Sequence, residues 1–376
     1  MSKDPRTLTA QGVHSRYAGS VIPPLSNSTT FLRGEHNELL GPVDYRRPEG
    51  PLEQDLCALL SKLEGGEDAR LFASGLAAAM AVFDTVSPGG TVLAQTQMYY
   101  GAKKLLLDLE DKGRLRTAWF DPSAPETLPE IVSASQPEMI WIETPANPSW
   151  AIVDIARTAE IARSIGAVLA VDSTSAPPCK TRSLELGADL VMHSATKYLN
   201  GHSDVLAGAV ITSESNSRWE RLCNGHALTG AVPGALETWL LLRGLRTLFV
   251  RFDQQSKNAM QIAKTLQLHP KVETVLYPGL DSHRGHSIAE KQMTGGFGGL
   301  LSVLVTGGKS EAAKLSSRTK VFQQATSIGG VESLIEHRKP IEGDESPTPD
   351  NLVRLSVGIE ALEDLVDDLH QALDQI

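Results

Sequence analysis

Residues 1–51 hold no sustained apolar period, because Gly12, Pro23, Pro24, Gly34, Gly41, Pro42, Pro48 and Gly50 interrupt it. So irregular a stretch is either disordered or an arm packed on another surface. At Leu52 the pattern becomes helical. Leu52, Leu56, Leu59, Leu60 and Leu63 recur at three- and four-residue spacing until Gly65-Gly66 stops them. An Ala-rich helical run follows Ser74-Gly75 and ends at Pro88-Gly89-Gly90. Beyond it, strands are predicted over 91–94, 139–142, 168–171, 190–193 and 208–212, with helices over 101–111 and 152–165. Short apolar runs separated by amphipathic helices mark a mostly parallel sheet covered on both faces. An α/β domain is therefore expected over 52–245.

Further on, 235–249 and 251–266 read as one long helical stretch with Gly244 as an irregularity. GGFGGLLSVLV at 295–305 reads as a strand, and 360–373 as an amphipathic terminal helix. These predict a smaller C-terminal α/β domain over 246–376, with 1–51 as an arm.

Composition narrows the classes. With 376 residues, 41% hydrophobic and 21% charged, the chain is globular and too long for one ordinary core. A net charge of −10 argues against a nucleic-acid stripe. No apolar run approaches the ~20 residues of a membrane helix, and MSKDPRTLTAQG lacks the apolar stretch of a secretory signal. Cys57, Cys179 and Cys223 are too few and scattered for a disulfide framework or a zinc knuckle. No metal or membrane partner is expected, and a reducing cytoplasm is the simplest compartment.

The window that carries chemistry is AVLAVDSTSAPPCKTRSLELGADLVMHSATKYLNGHSDVLAG, 167–208. Two predicted strands end in polar residues, one at Asp172 and one at His193-Ser194-Ala195-Thr196-Lys197. Ligands of open α/β sheets bind beyond the carboxyl ends of strands, so an acid and a lysine are expected to face one crevice. Ser194 and Thr196 add hydroxyls suited to a phosphate when backbone amides join them. Lysine, aspartate and phosphate donors together are what pyridoxal 5'-phosphate (PLP) requires. Spacing alone fits a surface lysine and a strand-end cap equally well. No GxxxxGK[ST] loop or strand-linked GxGxxG supports a nucleotide enzyme instead, and GGFGG at 295–299 has the wrong spacing.

Agreement along the rest of the chain decides between those readings. From about Tyr45 to the C-terminus the sequence resembles the trans-sulfuration enzymes, the Cys/Met-metabolism family of PLP enzymes. That family includes cystathionine γ-synthase, cystathionine γ- and β-lyases and methionine γ-lyase. HSATKYLNGHSDVLAG at 193–208 matches its signature around the cofactor lysine, and RLSVGIEALEDLVDDL at 354–369 its C-terminal signature. PGLDSHRGHSIA at 278–289 and RGLRTL at 243–248 match as well. The resemblance implies PLP-dependent transferase fold type I, aspartate aminotransferase-like.

Carried over by position, Lys197 is the Schiff-base lysine and Asp172 the partner of the pyridine nitrogen, with Thr174 beside the ring. Gly75 and Leu76, in ASGLAA, hold the family's phosphate-binding turn. Tyr100 matches the tyrosine that stacks on the ring, with Tyr99 as the rival register. Asn147 in ETPANP meets the phenolic oxygen, supported by Glu143. Arg354, with Ser327, binds the substrate carboxylate. Tyr45 and Arg47 match a pair that reaches a neighbouring subunit's site, Arg46 competing for the phosphate role. A homotetramer of shared-site dimers and a small amino-acid substrate follow.

Departures from the family pattern bear on local support, pocket shape and the substrate. Gly50, Leu52, Ser173 and Ser175 replace residues usual in relatives. Thr326 stands where glutamate is usual, and Leu105 where cystathionine-handling relatives often carry an arginine. Lys103 or Lys104 could substitute, as could His337 or Arg338 in a tail, IEHRKPIEGDESPTPDN, that lacks the usual Met-Thr-His segment. The leading expectation is a carbon–sulfur lyase acting by β- or γ-elimination on a sulfur amino acid such as cystathionine. The alternative is γ-replacement joining a thiol to an activated homoserine, and a non-catalytic scaffold is a distant third.

Overall fold

The computed structural model describes residues 3–13, 19–344 and 346–376. Positions 14–18 of the arm and Glu345 of the 335–351 tail therefore lie outside the described residues. Helices α1 (Pro5–Gln11) and α2 (Pro51–Glu64) precede strand β1 (Asp68–Phe72). Then come α3 (Gly75–Asp84), β2 (Thr91–Gln95), α4 (Tyr100–Asp111), β3 (Arg116–Phe120), α5 (Leu128–Ser135) and β4 (Met139–Glu143). They are followed by α6 (Ile155–Ser164), β5 (Val168–Asp172), β6 (Leu190–His193) and β7 (Gly208–Thr212). Helices α7 (Ser217–Thr229), α8 (Ala235–Leu245) and α9 (Leu248–Leu266) lead to β8 (Val272–Leu276), α10 (His286–Gln292) and β9 (Leu300–Val305). The chain closes with α11 (Lys309–Arg318), β10 (Gln323–Gln324), β11 (Leu334–His337), α12 (Lys339–Glu342), β12 (Leu352–Ser356) and α13 (Leu362–Leu373).

Strands β1 to β7 form one seven-stranded sheet in the order β1-β7-β6-β5-β4-β2-β3. It is mostly parallel, as expected; only β7 runs antiparallel to its two neighbours. Alternation along its strands feeds two cores. Leu93, Ile140, Ile142, Leu169, Val171, Val191 and Ile211 join α2 and α6 on one face. Val92, Ala94, Trp141, Ala170, Met192 and Val210 join α3 and α4 on the other. A sheet buried on both faces needs strands apolar at every position, and β2, β4 and β7 are buried throughout. The second sheet has five strands, β10-β11-β12-β9-β8, antiparallel except for β10–β11. Helices α9, α11 and α13 cover it.

Two expectations need correction. The single helix expected over 235–266 is two, α8 and α9, and the break falls after Gly244 rather than at it. Buried Arg251 donates to Gly244 O at 2.9 Å and Tyr198 O at 3.0 Å, stabilising the end of α8. Gly244 is required by close approach instead, since a Cβ there would stand 2.2 Å from Asn200 O. The strand expected over 295–305 begins only at Leu300, because Gly295, Gly296 and Gly298 all have positive φ. Of the two alternatives for the arm, its described residues favour packing: they contain α1, and Trp239 Nε1 donates to Pro23 O at 2.9 Å while Arg246 Nε donates to Ala10 O at 3.1 Å.

Candidate active site

The parallel register brings the chemistry together. Pairing of β4 with β5 sets Glu143 beside Asp172, and pairing of β5 with β6 sets Asp172 beside Met192. Three strand ends thus meet, and Thr174 staples two of them. Its backbone amide donates to Asp172 Oδ1 at 3.0 Å, and its Oγ1 accepts from Ser194 N at 2.8 Å. Opposite, Ser74 caps α3, its Oγ accepting from Ala77 N at 3.1 Å, which leaves the first-turn amides of Gly75 and Leu76 at the cavity. Glycine is needed at 75, because a Cβ there would sit 2.7 Å from the Ser194 side chain.

The cavity between these ends and the second sheet measures about 250 Å³. Gly75, Leu76, Tyr100, Asn147, Asp172, Thr174, Ser194, Thr196, Lys197, Ser327 and Arg354 all line it. Tyr99, Glu143, Ser175, Thr326 and Arg338 line it too, so Tyr99 and Tyr100 both face the space for which they were rivals. Size does not select this site: a cavity of about 1020 Å³ around Lys180, Phe249 and Asp253 contains none of these residues.

Lys197 Nζ donates to Ser327 Oγ at 3.0 Å. Burial, then the positive charge of Arg354, lowers its pKa to about 8. Arg354, 4% exposed, donates to Asn147 Oδ1 at 3.1 Å, Ser327 O at 3.1 Å and Glu336 Oε2 at 2.7 Å. Glu143 accepts from Asn147 N at 2.8 Å and from Tyr99 N at 2.5 Å. Burial, then repulsion by Asp172, raises its carboxyl to about 8, and burial raises Asp172 as well. Thr196 lines the cavity, but its hydroxyl donates to Ala207 O at 3.1 Å and accepts from Ala207 N at 2.9 Å.

Other positions lie outside the cavity. Tyr45 is 47% exposed, with the Arg47 guanidinium 5.6 Å from its ring centroid. Arg46 is committed to the buried carboxylate of Glu53 and to Ser26 O. Leu105 is partly buried against the core. Lys103 and Lys104 face an adjoining chamber of about 420 Å³, and His337 bonds Asp350 O at 2.6 Å. Of the proposed replacement cations, only Arg338 enters the cavity.

Glu336 escaped the sequence reading. It pairs in register with Arg354 across β11 and β12 and takes a hydrogen bond from the Thr326 hydroxyl. A lone acid inside the apolar run SLIEH, opposite a lone arginine inside LVRLS, was the available signal.

Residues 6–374 match the family described as Cys/Met metabolism PLP-dependent enzyme. Cystathionine gamma-synthase of Mycobacterium tuberculosis is 41% identical, covering 96% of each chain. Cystathionine beta-lyase of Coxiella burnetii is 37% identical, covering 98% of this chain and 97% of its own. A crystal structure of the Xanthomonas oryzae cystathionine gamma synthase in complex with cystathionine superposes with a TM-score of 0.95 at 34% identity, covering 100% of this chain and 99% of that one. The chain belongs to the Cys/Met-metabolism family of PLP-dependent enzymes, the trans-sulfuration enzymes, and its fold is PLP fold type I. Its cofactor is PLP. The residues present fit that group: Asp172 is a buried acid in need of a cationic partner, Lys197 supplies an amine, and the start of α3 supplies amides for a phosphate.

Proposed function

We propose that this chain joins a thiol amino acid to an activated homoserine, forming cystathionine by γ-replacement. The observation that carries the choice is that the relatives at 39–41% identity are named cystathionine gamma-synthase, whereas those named beta- or gamma-lyase stand at 36–38%. Elimination from cystathionine is the second reading, favoured by the β-lyase match over 98% of the chain.

PLP supplies an electron sink conjugated to the substrate's α-carbon. Arg354 and Ser327 would bind the α-carboxylate and fix the Cα–H bond toward Lys197, a positioning effect. Lys197 Nζ, with its pKa near 8, would take that proton, hand it on to the conjugated electron sink and so be free to take one from Cβ, and both protons would return to Cβ and Cα once the new Cγ–S bond has formed. Asp172 would hold a proton on the ring nitrogen, and Asn147 would hold the ring's oxygen. The Cγ–O bond then breaks and the leaving carboxylate departs. The thiol forms the new Cγ–S bond and releases its proton, and Tyr100 or Tyr45 would shuttle protons at that end.

Tyr45 and Arg47 act in a neighbouring copy's site on this reading, within a homotetramer of dimers. Arm residues Val21, Leu32 and Leu40 support it, since they are 72%, 83% and 64% exposed in one chain. Residues 1–51, 52–245 and 246–376 form arm, cofactor domain and C-terminal domain, and the enzyme works in the cytoplasm. Among the described residues no helix is long and apolar enough to cross a membrane.

The test gives PLP-loaded protein cysteine and an activated homoserine, and separately cystathionine alone. Cystathionine formed in the first reaction supports γ-replacement. Keto acid from the second without synthesis in the first would move the assignment to elimination, and neither product would overturn both.

A further inference from the structure

Two guanidinium groups line the cavity, and only Arg354 has a role so far. We infer that Arg338 forms a second anion subsite, one that holds the carboxylate at the far end of the substrate. The inference rests on the cystathionine reading above and deepens it.

Arg338 is 1% exposed and sits at the end of β11. Its Nη1 is tied to Glu336 Oε2, the atom that also holds Arg354, and Glu336 is fixed in turn by the Thr326 hydroxyl. One edge of the guanidinium is therefore pinned. The opposite edge, Nε and Nη2, faces Glu342 Oε1 at 3.2 and 2.9 Å. That edge is a fork of two parallel donors, the arrangement that matches a carboxylate bidentately. Glu342 has other partners, since its Oε2 accepts from the Ser346 and Thr348 hydroxyls at 2.6 Å each. A substrate carboxylate can take the place of Oε1 at the fork without leaving Glu342 unpaired.

Position favours the far end over the near one. Arg354 reaches Asn147 and Ser327 beside Lys197, whereas Arg338 lies 6.0 Å from the Tyr100 ring centroid, toward the adjoining chamber that Tyr100, Asn147 and Glu342 share. A ligand clamped at Arg354 and extended past Lys197 would run toward Arg338. The competing lysines line the adjoining chamber and not the cavity that holds Lys197, where Arg338 stands. Lys103 Nζ lies 3.4 Å from Thr96 O and 5.2 Å from the Trp119 ring centroid, and Lys104 Nζ lies 5.4 Å from the Tyr100 ring centroid in the adjoining chamber. Thr326 suits the arrangement, because a short hydroxyl side chain holds Glu336 and leaves the guanidinium its space.

The test compares L-cystathionine with L-ethionine, which shares its homocysteine half but ends in a bare ethyl group. Both are titrated into the PLP-loaded enzyme and followed by the cofactor's absorbance, for wild type, R338K and R338Q. Wild type should prefer cystathionine. R338Q should weaken cystathionine by at least about tenfold, the size expected when a charged bidentate partner is removed, with ethionine moving less than about twofold. R338K should fall between, since it keeps the charge and loses the fork. Ethionine reports on the rest of the site, because a change that acts through Arg354 or the cofactor weakens both ligands together. Equal weakening of both, or no change in either, would overturn the subsite. A wild type that binds cystathionine no better than ethionine would overturn it too, and one that binds neither would overturn the functional reading instead.

Discussion

The two walls of the cavity are held in place by different means. Lys197, Asp172 and Thr174 stand on or just beyond the ends of parallel strands whose register is set by cores on both faces of the sheet. Arg354, Arg338, Glu336 and Thr326 stand on the antiparallel sheet or beside it, and there opposite charges fix the geometry. The first wall places chemistry by topology, so a side chain can be removed from it without moving its neighbours. The second places chemistry by neutralisation, so removing one charge strands another in a buried site.

Lys197 gives the largest expected effect and the cleanest test of the first wall. K197A should lose about a thousandfold or more in kcat, since on the proposed mechanism the position supplies both nucleophile and base. Borohydride reduction should then add no cofactor mass to the polypeptide. The melting temperature should hold, because burial disfavours the charged lysine and, among the described residues, Ser327 is the one hydrogen-bond partner of its Nζ. A large loss of stability would show that this wall also depends on its charges.

Glu336 tests the second wall in the opposite sense. E336A leaves Arg354 and Arg338 facing each other without the shared carboxylate, and should cost about 3 kcal/mol or more of stability. The same change should raise KM more than it lowers kcat, because in the proposed mechanism Arg354 binds the substrate without touching the bond that breaks. Unfolding in denaturant and steady-state kinetics read the two effects. If E336A changed neither, the contrast between the walls would fail.

The same difference governs what could be read from the sequence. Central strands of a doubly covered sheet are apolar throughout, so 190–193 and 208–212 were legible to the residue, and the acid and lysine beyond them marked the site. The edge strands β1 and β3 were missed, because one side of each is unpaired and DARLF and RTAWF carry the polar residues that edges tolerate. Glu336 and Arg338 were hard to weigh for a related reason. Their importance depends on which strand lies opposite, and a register 18 residues apart in sequence between Glu336 and Arg354 is invisible to local periodicity. Gly244 misled because a glycine that allows close approach looks, in sequence, like one that ends a helix.

A smaller effect concerns the arm, which belongs to neither wall. R47A should cost about tenfold in activity if, as proposed, Arg47 is a bidentate phosphate partner in a neighbouring copy's site. Subunits of R47A mixed equally with K197A and reassembled should regain about a quarter of wild-type activity, because half of the dimers then contain one intact site. Recovery no greater than that of R47A diluted by an inactive protein would place Arg47 in its own chain's site or in none.

The smallest effect separates the walls by pH. Glu143 titrates near 8 in the folded protein against an ordinary 4.5, raised first by burial and then by Asp172. Between those values the folded protein keeps a proton that the unfolded chain has released. The stability linked to that proton is therefore complete below about pH 4.5 and is lost as pH rises through about 8. In cofactor-free protein, wild-type stability should fall by at least ~1 kcal/mol from pH 5 to 8 relative to E143Q, whose amide does not titrate there. Cofactor loading should shrink this slope, because a cationic ring nitrogen beside Asp172 offsets the negative charge that repels a second carboxylate. Denaturant melts of both proteins at both pH values, with and without PLP, provide the comparison. A slope that E143Q retains would assign the proton to Asp172 instead.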